Sequence, residues 1–300
     1  MAPGWVEFQE CNREIFEQIA RDCFYSPAMP MTKIFREVCP PLVKHWYQRW
    51  SHPSFWSGNF TNWEAAAAEC SGYDAFSILE SVKRSALMVK KGVAAFERDS
   101  VVFDEPEYSW PLLSTLLHAA GVNGGRLRVM DFGGSLGSTY FQHRPWLRDL
   151  PEVRWCVVEQ EHFVECGREH FQDGDLRFYH SIAECVEKEQ PDVALLSSVL
   201  GYLPDPQKVV SDVINGGFDY VVVDRTGFVR GEKERITVQR VPPDIYSASY
   251  PCRFLNKADL IRRLSEYYEL QAVFPAVDQA PPFAEFAGLS FKRRAGVTPS

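Results

Sequence analysis

The most constraining stretch of this chain is Arg126–Tyr140, RLRVMDFGGSLGSTY. A short apolar run, Leu127 to Met130, ends in the acid Asp131. Gly133, Gly134 and Gly137 follow, and a helix-compatible segment begins at Ser138. The pattern reads as strand, tight glycine turn and helix start. A residue without Cβ enters φ > 0 turns freely and lets a ligand lie against bare backbone. The helix start offers unpaired N–H groups to an anion.

Two ligand classes use such a turn. Dinucleotide sites want G-x-G-x-x-G. Here Gly134 and Gly137 fit the last two positions, but Phe132 stands where the first glycine belongs. The acid that closes the strand points instead to S-adenosylmethionine (SAM), whose amino-acid end carries an ammonium and a carboxylate. Asp131 is placed to attract the former and the N–H groups of the turn the latter. SAM turns usually run acid-x-Gly-x-Gly-x-Gly, whereas this one has Ser135 at the middle glycine position and an added Gly134. A ligand-free structural turn is the competing reading of this stretch taken alone.

The rest of the chain supplies the frame. Its 300 residues are 45% hydrophobic and 24% charged, ordinary for a globular protein. A net charge of −8 gives no support to a nucleic-acid partner. The eight cysteines contain no C-x-x-C pair and no neighbouring histidine cluster, so neither zinc nor any other metal is expected. No apolar run is long enough to span a membrane, and no signal peptide is evident. The expectation is a cytoplasmic protein with reduced cysteines. The basic, aromatic stretch Met31–Trp50 leaves peripheral membrane contact open, although a helix pair packing on a core is the simpler reading.

A helical extension is expected over residues 1–108. Its helices fall at Asn12–Arg21, at Trp63 behind the cap Asn62, and over Ala75–Lys91. A helix Leu112–Ala120, closed by Gly121, leads into the core domain, 109–296. After the glycine turn come buried strands at Trp155–Glu159, Leu176–Tyr179, Val193–Val199 and Tyr220–Asp224, each separated from the next by a helix. Asp205 with Pro206 marks the start of one of these helices. Apolar strands alternating with helices mean a doubly wound parallel sheet. The last two strands, Leu270–Pro275 and Phe286–Lys292, have no helix between them and must run antiparallel. The fold class is therefore α/β: a Rossmann-like methyltransferase fold, seven-stranded and mostly parallel with an antiparallel last strand.

Ligands in open α/β sheets bind outside the carboxyl ends of the strands. Cofactor candidates at those ends are Asp131, Gly133, Gly134, Ser135 and Gly137, then Glu159 and Gln160 for the ribose hydroxyls. Ser181 and Ile182 are placed for an adenine ring, and Ser197 lies at the end of the fourth strand. Asp224 is the candidate general base, and Tyr202 faces the acceptor beside it. Substrate contacts are expected from Arg98, Arg225, Gln239, Tyr246 and Tyr250. An arginine suits an anionic substrate group, although Arg225 reads slightly better as an internal ion pair. Gln239, Tyr246 and Tyr250 belong to a long excursion, 226–255, read as a substrate-side wall with one short strand at Ile236–Val241.

With these residues assembled, the chain resembles a family of SAM-dependent methyltransferases found among bacterial surface-polysaccharide biosynthesis proteins. The resemblance rests on FWSGNFTNWEAA, GYD at Gly72–Asp74, FERDSVVF, DFGGSLGSTYFQHR, WCVVEQ, LLSSVLGYLPDP, VVDRTGF, VQRVPPDIYSASYPC and FLNKADL. The resemblance covers roughly Pro41 to Arg293, with the quoted motifs between Phe55 and Leu260. The resemblance implies the methyltransferase fold, SAM as cofactor and the doubled glycine turn present here. It does not transfer an acceptor; a small polar molecule, a sugar or a glycan precursor, is the expectation. Two rival readings are a non-catalytic SAM-fold binding or assembly protein and a nicotinamide-dependent oxidoreductase. Phe132 and the antiparallel final pair count against the second.

Overall fold

The structure is a computed structural model and describes residues 55–70, 75–241, 248–276, 278 and 280–297. The expectations for Asn12–Arg21, Met31–Trp50, Gly72 and Tyr246 lie outside these residues. The described chain opens with strand β1 (Trp56–Phe60) and helices α1 (Trp63–Ala68) and α2 (Ala75–Lys90). Asn62 caps α1 by accepting from the Ala65 N–H at 2.8 Å. A hairpin of β2 (Phe96–Arg98) and β3 (Val101–Phe103) follows. The expected helical extension thus also contributes strands, because β1 finds an antiparallel partner much further along the chain.

Helix α3 (Trp110–Val122) runs through Gly121 instead of ending there. Its stop is set by the left-handed glycines Gly124 and Gly125, at φ 67° and 87°. Next come β4 (Arg126–Phe132), α4 (Ser138–Leu147), β5 (Glu152–Val158), α5 (Glu161–His170), β6 (Leu176–Tyr179), α6 (Ile182–Glu189) and β7 (Val193–Ser197). After a 3₁₀ turn at Leu200–Tyr202 follow α7 (Pro206–Gly216) and β8 (Tyr220–Val229). The Asp205 carboxylate caps α7 through the N–H groups of Gln207 and Lys208, at 3.1 and 3.2 Å. The chain closes with β9 (Arg235–Arg240), β10 (Ser249–Phe254), α8 (Lys257–Ser265), β11 (Tyr268–Pro275) and β12 (Ala284–Arg293).

The main sheet has the order β11-β12-β8-β7-β4-β5-β6. Strands β8, β7, β4, β5 and β6 are mutually parallel. The last strand, β12, lies antiparallel between β8 and β11. This is the expected seven-stranded, mostly parallel sheet. Apolar clusters cover both its faces, one containing Trp155 and Tyr140, the other Phe218 and Phe291. The chain leaves β4 toward β5 and β6, then returns to place β7 on the other side of β4. In open α/β sheets ligands bind in the crevice at such a switch of direction.

Two departures from the sequence reading shape the cleft. First, β8 does not stop at Asp224. Its pairing with β7 ends with Ser197 opposite Asp224, but β8 continues along β12 to Val229. Between the pairs Thr226–Ala287 and Val223–Leu289 the register shifts, leaving one extra residue on β8. Arg225 sits in this bulge at φ 49°. Second, the described residues of the excursion are largely strand. β9 pairs with both β1 and β10 in a small antiparallel sheet, with Gln239 opposite Trp56 on one side and Tyr250 on the other.

Candidate active site

The glycine turn closes tightly on its surroundings. The Gly133 N–H donates to the Val158 carbonyl at 2.9 Å, so the backbone stays tied to β5 as it leaves β4. Gly133 lies at φ 72°, and a Cβ there would stand 2.5 Å from Val199 Cγ2, across the switch point. Gly137, at φ 93°, is the N-cap of α4 and supplies no side-chain cap. The first N–H groups of α4 thus start with no side-chain acceptor from their cap. Ser135 holds φ 57° without being glycine.

Asp131 is 1% exposed and lies under Gly134. Its Oδ2 accepts from the Trp155 indole N–H at 3.0 Å, while Oδ1 is buried without a partner. Burial, aided by the charge of Glu159, pushes its pKa up to about 7. Glu159 stands at the end of β5, where its Oε2 accepts from the Gln160 N–H at 2.8 Å. Burial raises its pKa, while backbone hydrogen bonds from Gln160 and Ser135 hold it down. The backbone of Ser135 thereby links Glu159 to the glycine turn. These residues fit SAM: an uncapped helix start for a carboxylate and a strand-end acid for hydroxyl donors, with the charge of the buried Asp131, its Oδ1 unpartnered, beneath the turn.

On the far side of β5 the fit is partial. Ser181 caps α6, its Oγ accepting from the Glu184 N–H at 3.1 Å. Glu184 reaches back and accepts from the N–H of His180, the residue before the cap, at 3.0 Å, a variant of the capping box. Ile182 is 7% exposed and packs in the core beneath the sheet, which leaves little of it for a ring to lie on. Gln160 is exposed as the N-cap of α5. Ser197 is half-buried at the end of β7 and opposite Asp224.

The acceptor side gathers Asp224, Arg225, Tyr202, Gln239 and Tyr250. Asp224 is 2% exposed, and burial raises its pKa. Arg225 and a hydrogen bond from Ser109 pull the other way. Arg225 itself is engaged. Its Nε and Nη2 fork onto the Asp278 carboxylate at 3.0 and 2.9 Å, and Nη2 reaches Asp99 at 3.3 Å. The Tyr202 hydroxyl donates to Gln239 Oε1 at 2.9 Å, and Trp56 Nε1 donates to the same oxygen at 3.2 Å. Tyr250 meets Tyr202 edge-on at 5.5 Å. Burial raises the Tyr202 pKa well above its ordinary value, so this phenol is a neutral donor and not a base.

Arg98 does not join this group. It is paired with Glu107 at 2.5 Å and lies over the rings of Phe96 and Phe103. The strand alternates, and its neighbour Glu97 turns inward instead, 4% exposed, where it accepts from Ser138 Oγ. Sequence reasoning missed Glu97, Asp99, Ser109, Asp278 and Trp56. A backbone signal marks the same place. Non-glycine residues with positive φ include Asp99, Ser100, Ser135, Ser198 and Arg225. These five lie on the β2–β3 turn, the glycine turn, the end of β7 and the β8 bulge, whereas Gln190, at φ 47°, ends α6; such strain gathers at working sites.

Among the described residues no three His, Cys, Asp or Glu side chains are grouped to hold a metal ion. No helix among them is long and apolar enough to cross a membrane. A groove of about 610 Å³, lined by residues such as Gln207, Arg263 and Tyr267, shares none of the site residues above. No protein-family model and no curated protein sequence matches this chain. Several solved structures are similar to it. One is the N-terminal domain of EvdMO1, crystallised with S-adenosylhomocysteine (SAH) and D-fucose: 12% identity, 74% of this chain and 98% of that one, TM-score 0.46. Another is the N-methyltransferase NodS from Bradyrhizobium japonicum WM9 with SAH: 13% identity, 72% and 98% coverage, TM-score 0.41. A third is magnesium protoporphyrin IX methyltransferase from Synechocystis PCC 6803 with SAM: 11% identity, 75% and 99% coverage, TM-score 0.42. Identities this low say nothing of substrate, and the chemistry of this site rests on its own residues.

Proposed function

We propose that this chain is a SAM-dependent methyltransferase acting on a small polar acceptor, a sugar or a glycan precursor of surface polysaccharide. The observation that carries the reading is the glycine turn at the switch point. It lies over Asp131, with its orphaned oxygen, and beside Glu159. Asp131, Gly133, Gly134, Ser135, Gly137 and Glu159 hold the cofactor, with Gln160, Ser181 and Ser197 at its margins. The link to polysaccharide rests on the sequence resemblance alone, the cytoplasm on the reading of the cysteines, and the division into an extension, 1–108, and a catalytic core, 109–296, on the pattern of strands and helices along the sequence.

The bound cofactor supplies a methyl group already activated on a sulfonium. The residues of this chain position the acceptor and handle its proton. Asp224, a buried acid whose pKa burial raises, takes the proton from the attacking hydroxyl or amine. Tyr202 and Gln239 orient the acceptor, with Trp56 and Tyr250 forming an aromatic wall. Holding the two reactants in line provides most of the acceleration. Arg98 and Arg225 are both committed to carboxylates. The site therefore suits a neutral or cationic acceptor better than an anion.

Calorimetric titration with SAM, SAH and NADH on wild type and Glu159→Ala tests the reading. Saturable binding of SAM and SAH, weakened by the substitution, is the expected result. Binding of NADH with none of SAM or SAH, in protein freed of carried-over ligand, overturns it.

A further inference from the structure

The methyltransferase reading leaves one buried acid at the cleft without a role. Glu97 comes from the β2–β3 hairpin, outside the sheet that builds the site. It is 4% exposed. Its Oε1 accepts from the hydroxyl of Ser138, the first residue of α4 and the one directly after Gly137. Its Oε2 accepts from the Ser100 N–H at 3.2 Å. That second bond requires the hairpin turn to fold back on itself, with Asp99 and Ser100 at φ 51° and 69°. The acid is thus held by a strained turn against the open end of the glycine loop.

A structural role does not demand a carboxylate at this position. A glutamine amide could accept from Ser100 and donate to Ser138, at no cost of burying an ionisable group. The cation whose charge acts on it is Arg225, already divided between Asp278 and Asp99. Each oxygen of Glu97 uses one acceptor position and retains another. Asp131, by contrast, is roofed by Gly134.

We propose that Glu97 is a cofactor-binding residue, its carboxylate receiving the ammonium of the amino-acid end of SAM at the first turn of α4. The inference rests on the methyltransferase reading. Burial and the nearby Asp99 push its pKa up to about 7, and a cationic ligand group would draw it back to the charged form.

The test is calorimetric titration of wild type, Glu97→Gln and Glu97→Asp with two probes. SAH carries the ammonium, whereas 5′-methylthioadenosine has the nucleoside and no amino-acid end. Folding of each variant is checked by its thermal transition. In Glu97→Gln the Kd for SAH rises about tenfold or more, as expected for a lost charge-assisted hydrogen bond, while that for methylthioadenosine changes by less than about twofold. Glu97→Asp, which keeps the charge on a shorter arm, weakens SAH selectively but less. It decides the matter alone if the glutamine variant fails to fold. Unchanged SAH affinity, or equal weakening of both probes, overturns the proposal. Wild type that binds neither probe overturns the methyltransferase reading itself, and is thereby told apart from a failure of Glu97.

Discussion

Gly134 lies directly over the Asp131 carboxylate: a Cβ at position 134 would stand 2.5 Å from both Cγ and Oδ2 of Asp131. The acid cannot retreat, because Trp155 holds its Oδ2 from the other side and the surrounding core is closed. Gly134→Ala is therefore an overpacking substitution, expected to cost about 1–3 kcal/mol and to weaken SAM binding. Gly174→Ala is the control, since nothing lies within 4 Å of its built Cβ. Thermal unfolding of the two variants checks this. Equal transitions would mean that the turn has room to shift.

Asp131 also sets an expectation for pH. A carboxyl whose pKa rises on folding keeps its proton in the folded chain where the unfolded chain has already lost it, so stability falls as pH rises between the two values. For Asp131 that window runs from about 3.9, the unfolded value, up to the folded value of about 7. The loss is complete above it. Asp131→Asn cannot ionise but still accepts from Trp155. Its midpoint temperature should fall less than that of wild type between pH 5 and pH 8, by a few degrees. Parallel profiles would place the charge burden elsewhere, Glu97 being the next group to try.

Much of the sheet was legible because a parallel strand covered on both faces must be apolar throughout. Val193–Leu196 and Tyr220–Val223 are such runs, buried at every position. Glu159 and Asp224 were found because an acid closing such a run has to stand at the carboxyl edge. What escaped was set by contacts distant in sequence. The extension of β8 past Asp224 depends on β12, and the Arg225 bulge on the register between them. Within Phe96–Arg98, alternation alone does not say whether Glu97 or Arg98 faces inward. The stacked rings of Phe96 and Phe103, at 4.5 Å, decide it by drawing Arg98 to their own side. Its position suggests a ring contact for Ile182, but as the first residue of α6 it turns into the core with Cys185.

The division of labour between Asp224 and Tyr202 is testable once the acceptor is in hand. Asp224→Asn removes the proton acceptor, so kcat should fall about a hundredfold or more, with SAM affinity little changed. Tyr202→Phe removes one donor to Gln239 and leaves the Trp56 bond in place. Its expected effect is on the acceptor KM, about five- to tenfold, with a smaller change in kcat. Steady-state kinetics on both variants separates the roles. The opposite pattern, with Tyr202→Phe abolishing turnover and Asp224→Asn retaining it, would remove Asp224 as the base.

Arg225 joins three separate parts of the chain at the cleft. From its bulge in β8 it holds Asp278 in the β11–β12 loop and Asp99 in the β2–β3 turn. The Arg225 and Asp278 side chains are 18% and 21% exposed, so the pair is largely withdrawn from water. Such a pair contributes little net energy over an apolar replacement, but removing one partner strands the other and costs about 3 kcal/mol. Asp278→Leu and Arg225→Met should therefore each destabilise strongly, and the double variant should recover part of the loss. Arg225→Lys keeps the charge but not the two-pronged geometry, and is expected to fall between wild type and Arg225→Met. Denaturant unfolding of wild type, Asp278→Leu, Arg225→Met and the double variant gives the coupling directly, expected at about 1–3 kcal/mol for residues in contact. Additive losses would mean that packing alone holds these loops against the site.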